Sequence, residues 1–371
     1  MKLLVFWFSF AIVGYTYVGY FVFLSVLARL RREPVLKQAI VPPVSIVIAA
    51  RNEEARLPAK LADLLLQNYP KDRLQIVVVS DGSVDGTAAL LRTHSLDLVP
   101  IILEEPQGKA AALNHAVRVA TGDVLLFLDV RQSLEASAIT RLVACFADPG
   151  VGAVSGELLL ESGSGISSSN ALGMYWKIEK ALRRLESASG SVVGATGAIY
   201  AIRRELYTEM PAGTILDDVF VPMHVVRQGK RVVFEPTAIA RDHIFSEKGK
   251  EFSRKVRTLT GNYQLVQLAP WLVTRANPVL FRFISHKLLR LLAPFLLILM
   301  LAISATVHGS MFRAIFLLEL AFYSMAAAGT LRPSSRRFKP VAMATTFVVL
   351  NIAAAVSFYN FVTRQDKVWV R

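Results

Sequence analysis

The 371-residue chain reads as an α/β domain carried between membrane-spanning helices. Three observations lead there. Apolar residues make up 53% and charged residues only 19%, where a soluble chain carries about 25% charged. The apolar residues collect at the two ends. Between them, β-rich runs alternate with stretches of helical period, the order that builds a parallel sheet with helices on both faces. This composition excludes a disordered chain, a fibrous chain and a disulfide scaffold. The single cysteine, Cys145, makes neither an internal bridge nor a two-cysteine metal site. Its apolar neighbours read as buried filling.

The first element is residues 3–28, free of charge and long enough for the about 20 residues a bilayer requires. It ends in Arg29-Leu30-Arg31-Arg32 rather than at a small-residue cleavage site, so it reads as a retained anchor and not a signal peptide. Residues 291–307, 314–331 and 341–362 are three further candidate spans. Glu319 lies within the second of these; an intramembrane carboxylate is a functional candidate, but Arg313 nearby reads it as close to the membrane surface. Arg29, Arg31 and Arg32, and again Arg332, Arg336, Arg337 and Lys339, belong on the cytoplasmic side by the positive-inside rule. Residues 33–285 then face the cytoplasm and both termini lie outside. The tail basic residues Arg364, Lys367 and Arg371 argue against an outside C-terminus, and loss of one span would resolve that. The net charge of +14 points to an anionic membrane surface or an anionic substrate; no nucleic-acid-binding signature is present.

Within the central region, 44–48 is a β-rich run, and 53–67 has helical spacing with Leu57, Leu61, Leu64 and Leu65 on one face. A strand at 74–79, a helix at 86–93, a strand at 99–103, a helix at 109–120 and a strand at 124–128 follow. In such sheets ligands bind beyond the carboxyl ends of the strands. Those ends are polar: Ala50-Arg51-Asn52-Glu53, then Ser80-Asp81-Gly82-Ser83-Val84-Asp85-Gly86-Thr87, then Asp129-Val130-Arg131-Gln132. Each alone is ordinary turn or capping chemistry. Three on one edge of one sheet form a candidate site.

Three segments, 44–54, 77–87 and the run Gly108-Lys109-Ala110-Ala111-Ala112-Leu113-Asn114, resemble in order and spacing the signatures of family 2 glycosyltransferases. These are inverting enzymes of the Rossmann-like GT-A fold. The flanking spans resemble the membrane-embedded branch that includes cellulose, hyaluronan and poly-N-acetylglucosamine synthases. The resemblance implies that Asn52, Glu53 and Asp81 contact the nucleotide base and ribose, and that Lys109 serves the nucleotide, where a cation suits a diphosphate. It makes Asp129 the first carboxylate of a DxD motif, which in the family holds Mg²⁺ or Mn²⁺ against the sugar diphosphate. The second carboxylate is replaced by Arg131. Three readings stand: Arg131 partly takes the metal's place, Asp129 binds metal with another carboxylate while Arg131 assists, or the domain is inactive.

Further on, the run Gly194-Ala195-Thr196-Gly197-Ala198-Ile199-Tyr200 resembles the glycine-rich segment near the acceptor, and Asp217-Asp218 stands where the family has its acidic pair. The resemblance makes Asp218 the base for the acceptor hydroxyl and Asp217 its neighbour; by itself the pair equally suits a helix N-terminus. Arg254 and Arg257 fall in the place of a Gln-x-x-Arg-Trp motif without its tryptophan, which leaves polymer synthesis open. Residues 248–290 hold nine basic residues interleaved with aromatics and read as an interfacial helix on anionic lipid.

The expected organisation is an anchor (1–32), a cytoplasmic GT-A domain (33–247), an interfacial segment (248–290) and a spanning region (291–371). The expected function is transfer of a sugar from a nucleotide sugar, a UDP-sugar first, to a glycan or lipid-linked acceptor in cell-envelope polysaccharide synthesis. The expected setting is a bacterial inner membrane, with membrane lipids as partners, a second copy as a candidate partner and no nucleic acid. A polyprenyl-phosphate sugar transferase and a degenerate scaffold are the alternatives.

Overall fold

A computed structural model describes residues 1–93, 98–161, 170–243 and 250–364. Lys248, Lys367 and Arg371 lie outside them. Among the described residues eight strands form one sheet: β1 (Val44–Ala50), β2 (Leu74–Asp81), β3 (Val99–Leu103), β4 (Val124–Leu128), β5 (Ser133–Leu134), β6 (Val151–Glu161), β7 (Ile199–Arg203) and β8 (Arg231–His243). Their order is β3-β2-β1-β4-β7-β6-β8-β5. β3, β2, β1 and β4 are parallel, as the alternating pattern requires. The wholly parallel expectation fails beyond β4, because β7 runs antiparallel to both β4 and β6. The chain explains why. After helix α6 (Asn170–Ala188), residues 191–198 run back across the sheet, with Val192 N–H donating to Val232 O at 2.9 Å and Thr196 N–H to Ser155 Oγ at 3.0 Å. β7 therefore enters from the edge at which β6 leaves, and must point the other way.

Both faces of the sheet are buried, as its continuous Val/Ile/Leu runs predict. Val47, Val77, Val79, Leu125 and Phe127 pack on one side with α4 (Lys109–Val119). Ile46, Ile48, Val78, Leu126 and Leu128 pack on the other with α2 (Leu57–Leu65), α3 (Thr87–Thr93) and α5 (Ala138–Ala144). α2 starts at Leu57 rather than at Glu53, since the preceding residues are bound to the next loop. Leu57, Leu61 and Leu64 are buried, but Leu65 is 46% exposed; it lies about 100° round the helix from Leu64, off the buried stripe.

Among the described residues, four helices are long and apolar enough to cross a membrane: α1 (Lys2–Leu30), α9 (Leu280–Thr306), α10 (Ser310–Leu331) and α11 (Lys339–Val362). The segment read as one interfacial helix divides. α8 (Lys250–Leu268) ends at a short turn, Pro270–Val273, and residues from Leu280 onward already belong to α9. α8 joins α11 to the sheet domain. Tyr263 stacks on Phe361 with ring centroids 5.3 Å apart, while Gly261 lies against Leu216, where a Cβ would come within 2.6 Å of Leu216 Cγ. Glu319 accepts from Ser304 Oγ at 2.5 Å, between α10 and α9.

Candidate active site

The carboxyl edge of β1 and β2 is laced by short polar contacts. Asn52 adopts a left-handed backbone, φ 56°, which asparagine tolerates better than most residues. Its Oδ1 accepts from Val84 N–H at 2.9 Å, and Glu53 N–H donates to Thr87 Oγ1 at 2.9 Å. Glu54 Oε2 accepts from Gly86 N–H at 2.9 Å. Asp81 is buried, and its two oxygens accept from Gln107 N–H (2.7 Å) and Gly108 N–H (2.9 Å). Gly82, at φ 57°, lies so close to Pro106 that a Cβ would come within 2.3 Å of its nitrogen. The three sequence signatures are thus one built unit, and Asp81 sets the loop that starts α4. Arg51, Gln107, Gly108, Lys109, Gly213 and Thr214 help line a cleft of about 210 Å³ above it.

Lys109 is the first residue of α4, and its Nζ lies 2.9 Å from Asp129 Oδ1 at the end of β4. The same ammonium lies 3.3 Å from Asp217 Oδ2 at the start of α7 (Asp217–Arg227). Burial opposes its charge, but Asp129 and Asp217 hold it well above the ordinary lysine value. Burial also pushes Asp217 up, to about 6, against the pull of Lys109. Asp218 turns the other way: its Oδ2 accepts from Gly197 N–H at 3.1 Å, and a Cβ at Gly197 would stand 3.2 Å from that oxygen. Beneath them Tyr200 is fully buried, stacked on Phe127 at 4.7 Å. Burial, with Asp217 beside it, drives its phenol well above its usual value.

Arg131 Nη2 lies 2.5 Å from Asp242 Oδ2, which also accepts from Gln132 Nε2 at 3.1 Å. Lys60 is buried under this turn, donating to Gln132 O at 2.7 Å; burial brings it down to about 8. Among the described residues no three His, Cys, Asp or Glu side chains stand together to hold a metal ion. A divalent cation held by protein carboxylates does not fit this donor set: Asp129 is taken by Lys109, and the place of the second carboxylate carries a guanidinium tied to Asp242.

The fold therefore brings Lys109, Asp129, Asp217 and Asp218 together, with Asn52, Glu53 and Asp81 forming the adjoining wall. Arg254 is exposed on α8, whose Gln264 accepts from Ile215 N–H at 2.9 Å, so that helix steadies the loop before Asp217. Arg257 lies on the same helix, one turn before Gly261. Three residues escaped the sequence reading. Asp242 follows Ala238 and Ala240 on the inward face of β8, so a carboxylate at that period-two position was a usable signal. Arg183 donates to Thr196 Oγ1, next to Gly197. Lys287 has Asp218 among its electrostatic neighbours. Neither of these two carries a local motif.

On the side toward the apolar helices, α6 presents Glu179 and Glu186. His286 lies between them, its two ring nitrogens each 2.8 Å from a carboxylate oxygen. Tyr20 OH donates to Glu186 at 2.7 Å and Arg290 to Glu179 at 2.8 Å. Burial opposes ionisation of both glutamates, yet Arg290 and His286 hold Glu179 well below its usual range, and His286 with Tyr20 does the same, less strongly, for Glu186.

Residues 45–210 match the model of Glycosyl transferase family 2. The poly-beta-1,6-N-acetyl-D-glucosamine synthase of Staphylococcus aureus (strain COL) is 24% identical over 243 residues, 64% of this chain and 58% of that protein. The probable glycosyltransferase YdaM of Bacillus subtilis (strain 168) is 28% identical over 213 residues, 53% of this chain and 50% of that protein. The chain thus spans only 50 to 58% of the length of these curated relatives. Among solved structures, the mannosyltransferase PcManGT from Pyrobaculum calidifontis, in complex with GDP-Man and Mn²⁺, superposes with a TM-score of 0.70 at 23% identity, covering 96% of this chain and 99% of that one. The family match runs from β1 through β7 of a mixed sheet that shares the GT-A fold of that mannosyltransferase, so residues 45–210 carry the likeness to glycosyl transferase family 2.

Proposed function

We propose that the chain is a membrane-bound inverting glycosyltransferase that moves a sugar from a nucleotide sugar to a glycan or lipid-linked acceptor in cell-envelope polysaccharide synthesis. The carrying observation is Asp218. It is a partly exposed carboxylate oriented by Gly197 N–H, one residue from a Lys109–Asp217–Asp129 cluster at the cleft. Asp218 takes the proton of the acceptor hydroxyl. The freed oxygen attacks the anomeric carbon from the face opposite the diphosphate. The bond to the diphosphate oxygen breaks, and its electron pair leaves with the nucleoside diphosphate. Lys109 and Arg131 stabilise that departing charge, with the guanidinium offering paired donors to phosphate oxygens.

Asn52, Glu53 and Asp81 form the nucleotide end, Asp81 by holding the Gln107–Gly108 backbone in place. Arg254 and Arg257 are further candidates for the diphosphate, carried on α8. The sheet domain faces the cytoplasm of a bacterial inner membrane, by the positive-inside reading of Arg29, Arg31 and Arg32. The test is release of nucleoside diphosphate by purified protein from a panel of UDP- and GDP-sugars, with lipid acceptor supplied. Turnover that disappears in Asp218→Asn supports the reading. Silence with every donor leaves the scaffold alternative in its place, and turnover unchanged in Asp218→Asn moves the base to another residue.

A further inference from the structure

The cleft above the sheet has two walls, and a side chain grips the backbone of each. On one wall Asp81 accepts from Gln107 and Gly108 N–H, at 2.7 and 2.9 Å. Gly213 and Thr214 line the same cleft, together with Lys109. They lie in the loop that leads into Asp217 and Asp218, and Gln264 holds that loop from α8. Its Oε1 accepts from Ile215 N–H at 2.9 Å, and its Nε2 donates to Gly213 O at 2.9 Å. The carboxamide thus brackets Thr214 with one acceptor and one donor, as a neighbouring parallel strand would. Ile215 is buried, so loss of that bond leaves a buried donor unmet.

Both sides of this contact are shaped for it. Gly261 lies three residues before Gln264, on the same face of α8. A Cβ there would come within 2.6 Å of Leu216 Cγ and 3.0 Å of Ile215 Cγ2, so glycine lets the helix backbone settle on the loop. Tyr263 seats α8 on α11, with its ring centroid 5.3 Å from that of Phe361 and 5.7 Å from that of Phe358. In the loop, Gly213 has φ 78°, a left-handed conformation open to glycine. Thr214 N–H and Oγ1 both donate to Pro211 O, at 3.2 and 2.7 Å. One wall is therefore fixed within the sheet domain, and the other by a helix docked on a candidate membrane span.

We propose that Gln264 is a positioning residue for the donor: by holding Gly213–Ile215 it sets the wall that meets the diphosphate and sugar beside Lys109. This rests on the proposed transferase reading. A loop that leaves its place for part of the time weakens donor binding in proportion, without changing the groups that bind the base and ribose.

The test uses the full chain in detergent, with the nucleotide sugar that turns over. Gln264→Leu is close in size and loses both bonds. It should raise the donor KM about tenfold, the order for two lost hydrogen bonds, with kcat within about threefold of wild type. Inhibition by the matching nucleoside monophosphate, which lacks the second phosphate and the sugar, should stay within about twofold of wild type. Gly213→Ala reaches the same loop without touching α8. Its Cβ meets nothing within 4 Å, so its effect is strain at φ 78° alone. It should raise the donor KM about fivefold. The double variant should show less than the product of the two effects, because both act on one loop. Where Gln264→Leu does not fold, Gly213→Ala carries the comparison of donor with monophosphate by itself.

A donor KM unchanged in both variants, with turnover intact, overturns this inference and leaves the transferase reading standing. An equal rise for donor and monophosphate also overturns it, since a general loosening of the fold moves both, and so does a loss confined to kcat. A wild type that turns over no donor removes the transferase reading and this inference with it.

Discussion

In the half of the sheet built from β1 to β4, the polar contacts that shape the site join residues 20 to 34 positions apart, such as Lys109 with Asp129 and Glu53 with Thr87. In the half that meets the apolar helices, the contacts join residues 91 to 270 positions apart, such as Arg282 with Ser191, Tyr20 with Glu186 and Tyr15 with Ser285. The first half is a set of neighbouring strand–loop–helix units, each of which carries most of its own partners. The second is a junction where three distant segments bring single residues to one place. The proposed nucleotide end is therefore set within the sheet domain alone, whereas the junction exists only once α1, α6 and α9 have docked. Asp218 lies on the seam, where its Oδ2 accepts from Gly197 N–H.

The largest expected effect falls on that seam. Asp218→Asn should lower transfer by about a thousandfold with donor binding retained, the range for loss of a general base; a variant within tenfold of wild type would move the base elsewhere. Next comes the junction. Glu186→Ala removes the acceptor of both Tyr20 and His286 and should destabilise the protein by about 3 kcal/mol, as for a broken buried pair. Thermal unfolding in detergent measures it, and a loss confined to activity would show that the junction is not what holds the helices. In the nucleotide half, Arg131→Ala should reduce turnover by about 30-fold through weaker hold on the diphosphate, on the scale of a charge-assisted bond. Added Mn²⁺ or Mg²⁺ should not restore it; restoration would return a metal ion to that place.

The smallest effect is a matter of pH. Asp217 is raised to about 6 by burial, against the pull of Lys109. Above that value it is ionised and pairs with Lys109; as pH falls through it, the carboxyl takes a proton and the pair is lost. Turnover should fall by about tenfold on the acid side with a midpoint near 6, and that limb should be absent from the lower, flatter profile of Asp217→Asn. A limb that survives the substitution belongs to another group.

The parallel half of the fold was legible because local rules govern it. Strands β3 and β4 begin and end where the apolar runs do, and β1, β2 and α4 match to within two residues. The candidate residues Asn52, Asp81, Lys109 and Asp129 follow from the position of strand ends, where backbone amides and side chains turn toward the cleft. Helix α2 starts late because Glu53 and Glu54 bond to Thr87 and Asp85, a cross-loop competition that no helical period records. β7 reversed the expected parallel sheet because the path of 191–198 depends on where α6 delivers the chain.

What the sequence by itself determined is the family 2 likeness of residues 45–210, the order of the elements from β1 to β4, the apolar helices and the acidic pair at 217 and 218. Each rests on period, composition or a short motif, all properties of neighbouring residues. Only the tertiary structure decided that Asp217 belongs with Lys109 while its neighbour turns to Gly197, and that Arg131 is held by Asp242. The reason is physical. A charge–charge contact depends on separation in space and on burial, and across 100 residues of chain those are set by how helices and sheet pack, not by any local preference of the residues involved.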